Sequence, residues 1–385
     1  MKMSNMTNYL IGQPMFELKK KIREYQVQGK EILHFEIGDS HWDAPRVVGS
    51  AVVRSIRLGE THYTASGGMM ELKEEIVKAT HKEYHMIVKP SQILVIPANA
   101  VIDFVVRCLC EKDDEVIVTD PCFPTYTSVL SYTGVKAVKV NILGNTNHNA
   151  DYESIKSAMT DKTKLVIVNS PCNPTGGIIH SSELAAIQGI CEAKGIPLLC
   201  DEVYSGMIYN KEERFSPVTL DKCQKNVILL KSFSKIYSMT GYRLGYVIAP
   251  EPLVEKMTLL FQTIFSCMPV FIQRAGIAAL NCSDAVLDKR LRHLDRCRRM
   301  LVDGLNSIKG IDCNIPNGAF YVFPSIKGTG KTSSEIADLL LEKAGVAVLP
   351  GNNFGESGEG YIRLCYATDK EVIQKAITKM KEVLC

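Results

Sequence analysis

The chain reads Lys231-Ser-Phe-Ser-Lys235, followed shortly by Thr240-Gly-Tyr-Arg243-Leu-Gly. Ser232 and Ser234 offer two hydroxyls, and Arg243 a planar, permanently charged donor fork, beside a lysine amine. Such a set suits gripping a phosphate next to a reactive amine, and a phosphorylated aldehyde cofactor would satisfy every member. The plain alternative is a serine-rich loop with a solvated lysine. Upstream, Asn169-Ser-Pro-Cys-Asn173-Pro-Thr-Gly176-Gly177 predicts a turn from its prolines and glycines alone. An asparagine fixed in it can also hydrogen-bond a ring hydroxyl or phenolate. Asp201-Glu-Val-Tyr204 sets a carboxylate and a phenol three residues apart, on one face if a helix begins there. Otherwise such an aspartate is a helix cap or a loop ion pair.

The elements that must position these groups follow α/β grammar. Apolar runs at 115–119, 164–168, 196–200, 226–230 and 245–249 predict strands buried on both faces of a mainly parallel sheet covered by helices. Asp201 and Lys235 each fall just beyond such a run, where open α/β sheets place ligand-binding groups. Phe16 to Gln28 predicts an amphipathic helix, Ile32 to Ile37 a strand, and Glu71 to His85 a helix with apolar residues at Leu72, Ile76 and Ala79. A long basic helix from Ala285 to Ile308 leads into a smaller α+β part, with strands at 319–323 and near Val346 and Tyr361. Helices are expected near 333–343 and from Lys370. The expected division is an amino-terminal arm over 1–46, a large domain over 47–285 and a small domain over 286–385.

Composition narrows the function further. The 385 residues carry a net charge of +3, with basic and acidic residues interleaved, so no nucleic-acid partner is expected. No apolar run approaches the ~18 residues of a membrane span, and the amino terminus has no apolar signal core, so the expected location is cytoplasmic. The 13 cysteines show no zinc-ligand spacing and read as reduced, packed thiols, including Cys108-x-Cys110. No ligand cluster emerges from the 8 histidines, so no metal is expected.

Taken together, these segments resemble the class I/II aminotransferases of pyridoxal-phosphate fold type I, from about Phe16 to the end. The resemblance implies a large domain with a mainly parallel seven-stranded sheet plus a smaller α+β domain from both termini. It implies pyridoxal 5'-phosphate held as a Schiff base on Lys235, with Ser232, Ser234 and Arg243 around its phosphate. Asp201 then bonds the ring nitrogen, keeping the ring an electron sink, while Asn173 and Tyr204 bond the ring oxygen. Arg363, in Gly360-Tyr-Ile-Arg363-Leu-Cys-Tyr-Ala367, falls where the family's arginine forks the substrate carboxylate; its plain alternative is a buried ion pair. Gly38 and Asn173 fall at the substrate, Phe123 on the ring, and Tyr63 where a tyrosine reaches the phosphate of the neighbouring subunit of a homodimer. At Pro97-Ala98-Asn99-Ala100 the chain departs from the family, with Ala98 in place of the usual glycine. Backbone N–H groups of Ala98 and Asn99 remain expected phosphate donors at a helix start.

The implied reaction exchanges an amino group between an amino acid and a 2-oxo acid. A carbon-sulfur lyase or decarboxylase of the same fold is the first alternative, and a non-catalytic pyridoxal-phosphate-binding protein the second. Gly328-Thr-Gly-Lys331-Thr-Ser mimics the tail of a nucleotide-binding loop, but Ser325 stands where that pattern needs glycine, so a helix-entry turn is expected. The run Gly351 to Gly360 reads as a loop over the active site.

Overall fold

The computed structural model describes residues 1–144, 148–210 and 215–384. An arm of α1 (Pro14–Val27) and β1 (Leu33–His34) leads to α2 (Arg46–Arg57) and α3 (Met70–Tyr84). The chain then alternates through β2 (Ile93–Ile96), α4 (Ala98–Leu109), β3 (Glu115–Asp120), α5 (Pro124–Thr133), β4 (Lys136–Asn141) and α6 (Tyr152–Ala158). It continues through β5 (Thr163–Asn169), α7 (Ser181–Ala193), β6 (Leu198–Asp201), α8 (Val218–Asp221), β7 (Val227–Ser232) and β8 (Gly245–Ile248). Three helices follow, α9 (Glu251–Phe265), α10 (Val270–Leu280) and the long α11 (Asp284–Asn306). The last part holds β9 (Tyr321–Val322), α12 (Ser333–Leu339), β10 (Val346–Ala347), β11 (Leu349–Pro350), β12 (Ile362–Cys365) and α13 (Lys370–Leu384).

Seven strands form one sheet in the order β2-β8-β7-β6-β5-β3-β4. Neighbours from β4 to β7 pair in parallel, and only β8 runs against its two neighbours. Apart from edge strand β4, the strands are buried along nearly their whole length because helices cover both faces, which is why they read as continuous apolar runs. Two strands escaped the sequence reading. Four apolar residues of β2 are too few to distinguish strand from helix by periodicity. Edge strand β4 carries exposed Lys136, and a lysine on an edge keeps it from pairing with another chain.

A second apolar core gathers Leu33 and Phe35 of the arm with α11, α13 and the strands β9 and β12. Here the expected strand Ile32 to Ile37 shrinks to two residues paired with β10. The reason is that the next carbonyls serve other partners: Phe35 O accepts from Cys365 N at 2.8 Å, and Glu36 O from the Arg363 guanidinium. The expected strand at 319–323 likewise shortens to Tyr321–Val322, preceded by Ala319 in the left-handed region at φ 56°. The Gly328–Ser333 stretch is a helix-entry turn: Thr332 and Glu335 cap each other at the start of α12.

The centre of the sheet is close-packed, so deleting a side chain there leaves a cavity. Leu229→Ala, at a fully buried position of β7, should lower the unfolding free energy by about 3 kcal/mol. Urea unfolding followed by circular dichroism measures this, and a loss below about 1 kcal/mol would show a sheet centre able to collapse around the gap.

Candidate active site

The parallel strands point their carboxyl ends to one edge of the sheet. Asn169 ends β5, Asp201 ends β6 and Ser232 ends β7, with Asn169 beside Asp201 in register. On the far side Ser232 pairs with Gly245 and Gly245 with Ile96, so α4 starts at the same edge. A cavity of about 530 Å³ opens there, at the seam between the two apolar cores. Its wall includes Gly38, Ala98, Asn99, Phe123, Asn173 and Asp201. Tyr204, Ser232, Ser234, Lys235, Arg243 and Arg363 complete the set of expected residues brought together. Tyr63 stands apart, 88% exposed and outside this cavity.

Asp201 is the last residue of its strand rather than the one beyond it, and no helix follows. The chain turns instead, with Ser205 N bonding Glu202 O at 3.0 Å and Met207 N bonding Tyr204 O at 2.8 Å. The helical face expected for Asp201 and Tyr204 is therefore absent, and the turn delivers both side chains to the cavity. Tyr126 Oη donates to Asp201 Oδ2 at 2.5 Å, and Val203 N to Oδ1 at 3.2 Å. Burial outweighs these donors and pushes the Asp201 carboxyl up to about 6.

The only hydrogen-bond partner of Lys235 Nζ among the described residues is the Gly38 carbonyl, at 2.6 Å. Burial, aided by Arg363 and Arg243, brings this amine down to about 8. Gly38 must be glycine, since a Cβ there would lie 2.0 Å from Tyr321 Oη. Ala98 packs as closely: a Cβ on Gly245 would come within 2.9 Å of the Ala98 methyl, so the helix start sits directly against the neighbouring strand. Ala98 opens α4, which keeps backbone N–H groups at the cavity edge despite the missing glycine.

Arg363 is 1% exposed on β12. Nη1 donates to Asn173 Oδ1 at 3.1 Å and Nη2 to Glu36 O, while Nε has no partner among the described residues. Tyr321 and Phe354 lie against its plane, with ring centres at 4.5 and 4.9 Å. No carboxylate of the described residues pairs with it, so the buried ion pair that an arginine in an apolar strand would suggest is not what the structure contains.

Some lining residues gave no functional signal in the sequence. Asn169 and Tyr321 looked like ordinary strand residues, and Met15, Phe16 and Lys19 of α1 looked like an arm; Tyr126, which stands behind Asp201, gave no signal either. Tyr204 Oη and Tyr321 Oη are 2.9 Å apart, which ties the turn after β6 to β9. The Gly351 to Gly360 run, expected over the site, packs behind Arg363 through Phe354, and none of its residues lines the cavity. The 12 described cysteines are free, and burial pushes the Cys110 thiol up to about 12, as packing rather than reactivity requires.

The charge balance says what the cavity holds. Lys19, Lys235, Arg243 and Arg363 face only Asp39 and Asp201, an excess of positive charge. The unsatisfied Arg363 Nε and the hydroxyls of Ser232 and Ser234 add donors, so the site fits a ligand set carrying a phosphate and a carboxylate.

The raised Asp201 carboxyl makes a testable stability statement. It holds its proton in the fold between its ordinary value of 3.8 and about 6, so the stability it contributes is complete below 3.8 and lost as pH rises through about 6. In the cofactor-free chain, Asp201→Asn should therefore be more stable than the parent by about 1–3 kcal/mol above that window and equal to it near pH 4. Thermal unfolding at both pH values checks this; a variant no more stable at neutral pH contradicts the burial argument.

Comparison with known proteins agrees with this geometry. The family model of class I and II aminotransferases matches residues 30–380. The chain is 32% identical to an aspartate aminotransferase of Pyrococcus horikoshii over 98% of its own length and 97% of that protein's. It is 34% identical to the putative aminotransferase YugH of Bacillus subtilis over 92% of each. Among solved structures it is similar to the aspartate aminotransferase of Thermus thermophilus with maleate, with a TM-score of 0.94, 28% identity and all of both chains covered. An alanine aminotransferase of Pyrococcus furiosus gives the same score and identity over 100% of this chain and 99% of that one. These matches do not favour the lyase, decarboxylase or non-catalytic alternatives. The chain belongs to the class I and II aminotransferases, pyridoxal-phosphate enzymes of fold type I that exchange an amino group between an amino acid and a 2-oxo acid.

Proposed function

We propose that Lys235 carries the cofactor and serves as the proton-transfer group of the amino exchange, with Arg363 as the carboxylate clamp for amino acid and 2-oxo acid alike. The observation that carries this reading is the pairing, in one cavity, of an amine lowered to about 8 with a buried guanidinium that has no carboxylate partner among the described residues. Pyridoxal phosphate, when bound, supplies an aldehyde that bonds amines and a ring that withdraws electrons. Asp201 would hold the ring nitrogen protonated, and that positive charge would offset the cost of burying its carboxylate. Tyr126 orients that carboxylate through its 2.5 Å bond. Ser232, Ser234, Arg243 and the α4 amino terminus at Ala98 and Asn99 would hold the cofactor's phosphate, and Phe123 would pack on its ring.

Asn173 gives its Oδ1 to Arg363, which leaves its amide nitrogen to donate, with Tyr204, to the ring oxygen. Gly38 holds the Lys235 amine until the substrate arrives and then faces the substrate carboxylate. Lys235 Nζ, about half neutral near pH 8, would take the proton from the substrate α-carbon and pass it to the cofactor carbon, and would move it back to the α-carbon when the second oxo acid is aminated. The exposed Tyr63 points to a homodimer in which it reaches the phosphate of the partner's site. No helix among the described residues is long and apolar enough to cross a membrane, and the free thiols suit the reducing cytoplasm. The proposed parts are the arm over 1–46, a cofactor domain over 47–285 and a small domain over 286–385.

Lys235→Ala should lose both turnover and the near-visible absorbance of the bound cofactor; undiminished transamination would reject the role. Arg363→Lys keeps the charge but loses the fork, and should raise KM for every amino donor by about tenfold or more. Steady-state kinetics with aspartate, alanine and phenylalanine test this, and an unchanged KM for all three would remove Arg363 from substrate binding.

A further inference from the structure

Away from the cavity, three distant segments bring two imidazoles and a carboxylate together. His41 lies in the arm between β1 and α2, His293 on α11, and Asp369 just before α13. One ligand atom from each lies within 4.8 Å of the other two, and none of the three residues lines the cavity. His41 Nε2 is 3.2 Å from Asp369 Oδ1, which alone reads as a surface ion pair.

The hydrogen-bond partners argue for more. His41 Nδ1 is 3.1 Å from Ala367 O, and a carbonyl can only accept, so Nδ1 carries a proton. Nε2 then meets the carboxylate oxygen in one of two ways: through a second proton, which makes the contact an ordinary ion pair, or through a metal cation bound by both. His293 Nε2 lies 3.0 Å from Thr368 O and 3.2 Å from Cys297 Sγ, and the tautomer that donates from Nε2 to the carbonyl leaves Nδ1 open to coordinate. Backbone carbonyls that fix the tautomer in this way are the usual supports of metal-binding histidines. Trp42 holds both rings, with centres 4.5 Å from His41 and 5.2 Å from His293, so the donors are ordered in advance.

We propose that His41, His293 and Asp369 form a site for one divalent cation of the zinc class, with water completing its coordination. Two imidazoles and one carboxylate select zinc, nickel or cobalt over magnesium or calcium. The 3.2 Å edge already matches the ligand separation of about 3.3 Å in a tetrahedral site, and the exposed His41 and Asp369 leave room to close the rest. A cation there ties the segment after Arg363 to the segment that begins at Gly38, two stretches that both reach the cavity. It acts as a clamp on the arm and takes no part in the chemistry. The histidines stand on segments too far apart for any ligand spacing to show in the sequence.

The test uses tag-free holoenzyme stripped with chelator and titrated with zinc by calorimetry, and with nickel while following fluorescence of Trp42, the single tryptophan. One zinc per chain should bind at micromolar concentration, raise the thermal midpoint, and be weakened about tenfold or more in His41→Ala and in His293→Ala. Nickel quenching of Trp42 should fall in the same variants. Cofactor absorbance and basal transamination should persist in both, which reports that they fold; His41→Asn and His293→Asn replace any variant that does not. No binding by the parent, or equal binding by parent and histidine variants through cysteine thiols, would overturn the site and leave an ordinary ion pair.

Discussion

Positive charge held out of water without its own counter-charge is the constraint on which this molecule depends. A guanidinium buried in an apolar strand normally brings a carboxylate with it, because the desolvation cost is otherwise several kcal/mol. Arg363 instead rests on a carbonyl, an asparagine and two aromatic faces, with one nitrogen unsatisfied. Lys235, in the same enclosure, answers the same pressure by losing affinity for its proton. The fold therefore carries a strained electrostatic arrangement that anionic ligands relieve, and the binding energy so released is available for orientation.

The two apolar cores hold this arrangement in place. The larger core fixes the carboxyl ends of β5, β6 and β7, and hence Asn169, Asp201 and Ser232. The smaller core fixes β9, β12 and the arm, and hence Tyr321, Arg363 and Gly38. Tyr204 belongs to the second core although its chain segment leaves the first, and its hydroxyl contact with Tyr321 crosses the seam. Tight glycines at 38 and 245 let the opposing walls approach each other, so the spacing between amine, carboxylate and guanidinium is set by packing.

Much of this was legible in the sequence, for identifiable reasons. The inner strands announce themselves because a sheet covered on both faces needs unbroken apolar runs, and the cofactor-side residues sit in short segments at strand ends. Legibility failed where tertiary pairing decides the outcome. The arm strand lost its length to side-chain and backbone contacts with β12, and the condition of a helix after Asp201 was not met, because the chain turns there. Tyr126 could not be distinguished from a core aromatic, because only its 2.5 Å bond to Asp201 separates the two. Lys19 and its neighbours on α1 reach the cavity across most of the chain's length, and no local pattern encodes that.

The most direct measurement is chemical trapping of the holoenzyme with borohydride followed by peptide mapping. Among the described residues Lys19 and Lys235 are the lysines that line the cavity; Lys19 is exposed, whereas Lys235 is enclosed and its proton affinity is lowered by burial. The account predicts a single phosphopyridoxyl group, on the Lys231 to Arg243 segment at Lys235. Label on Lys19, label spread over surface lysines, or no label on Lys235 would contradict it.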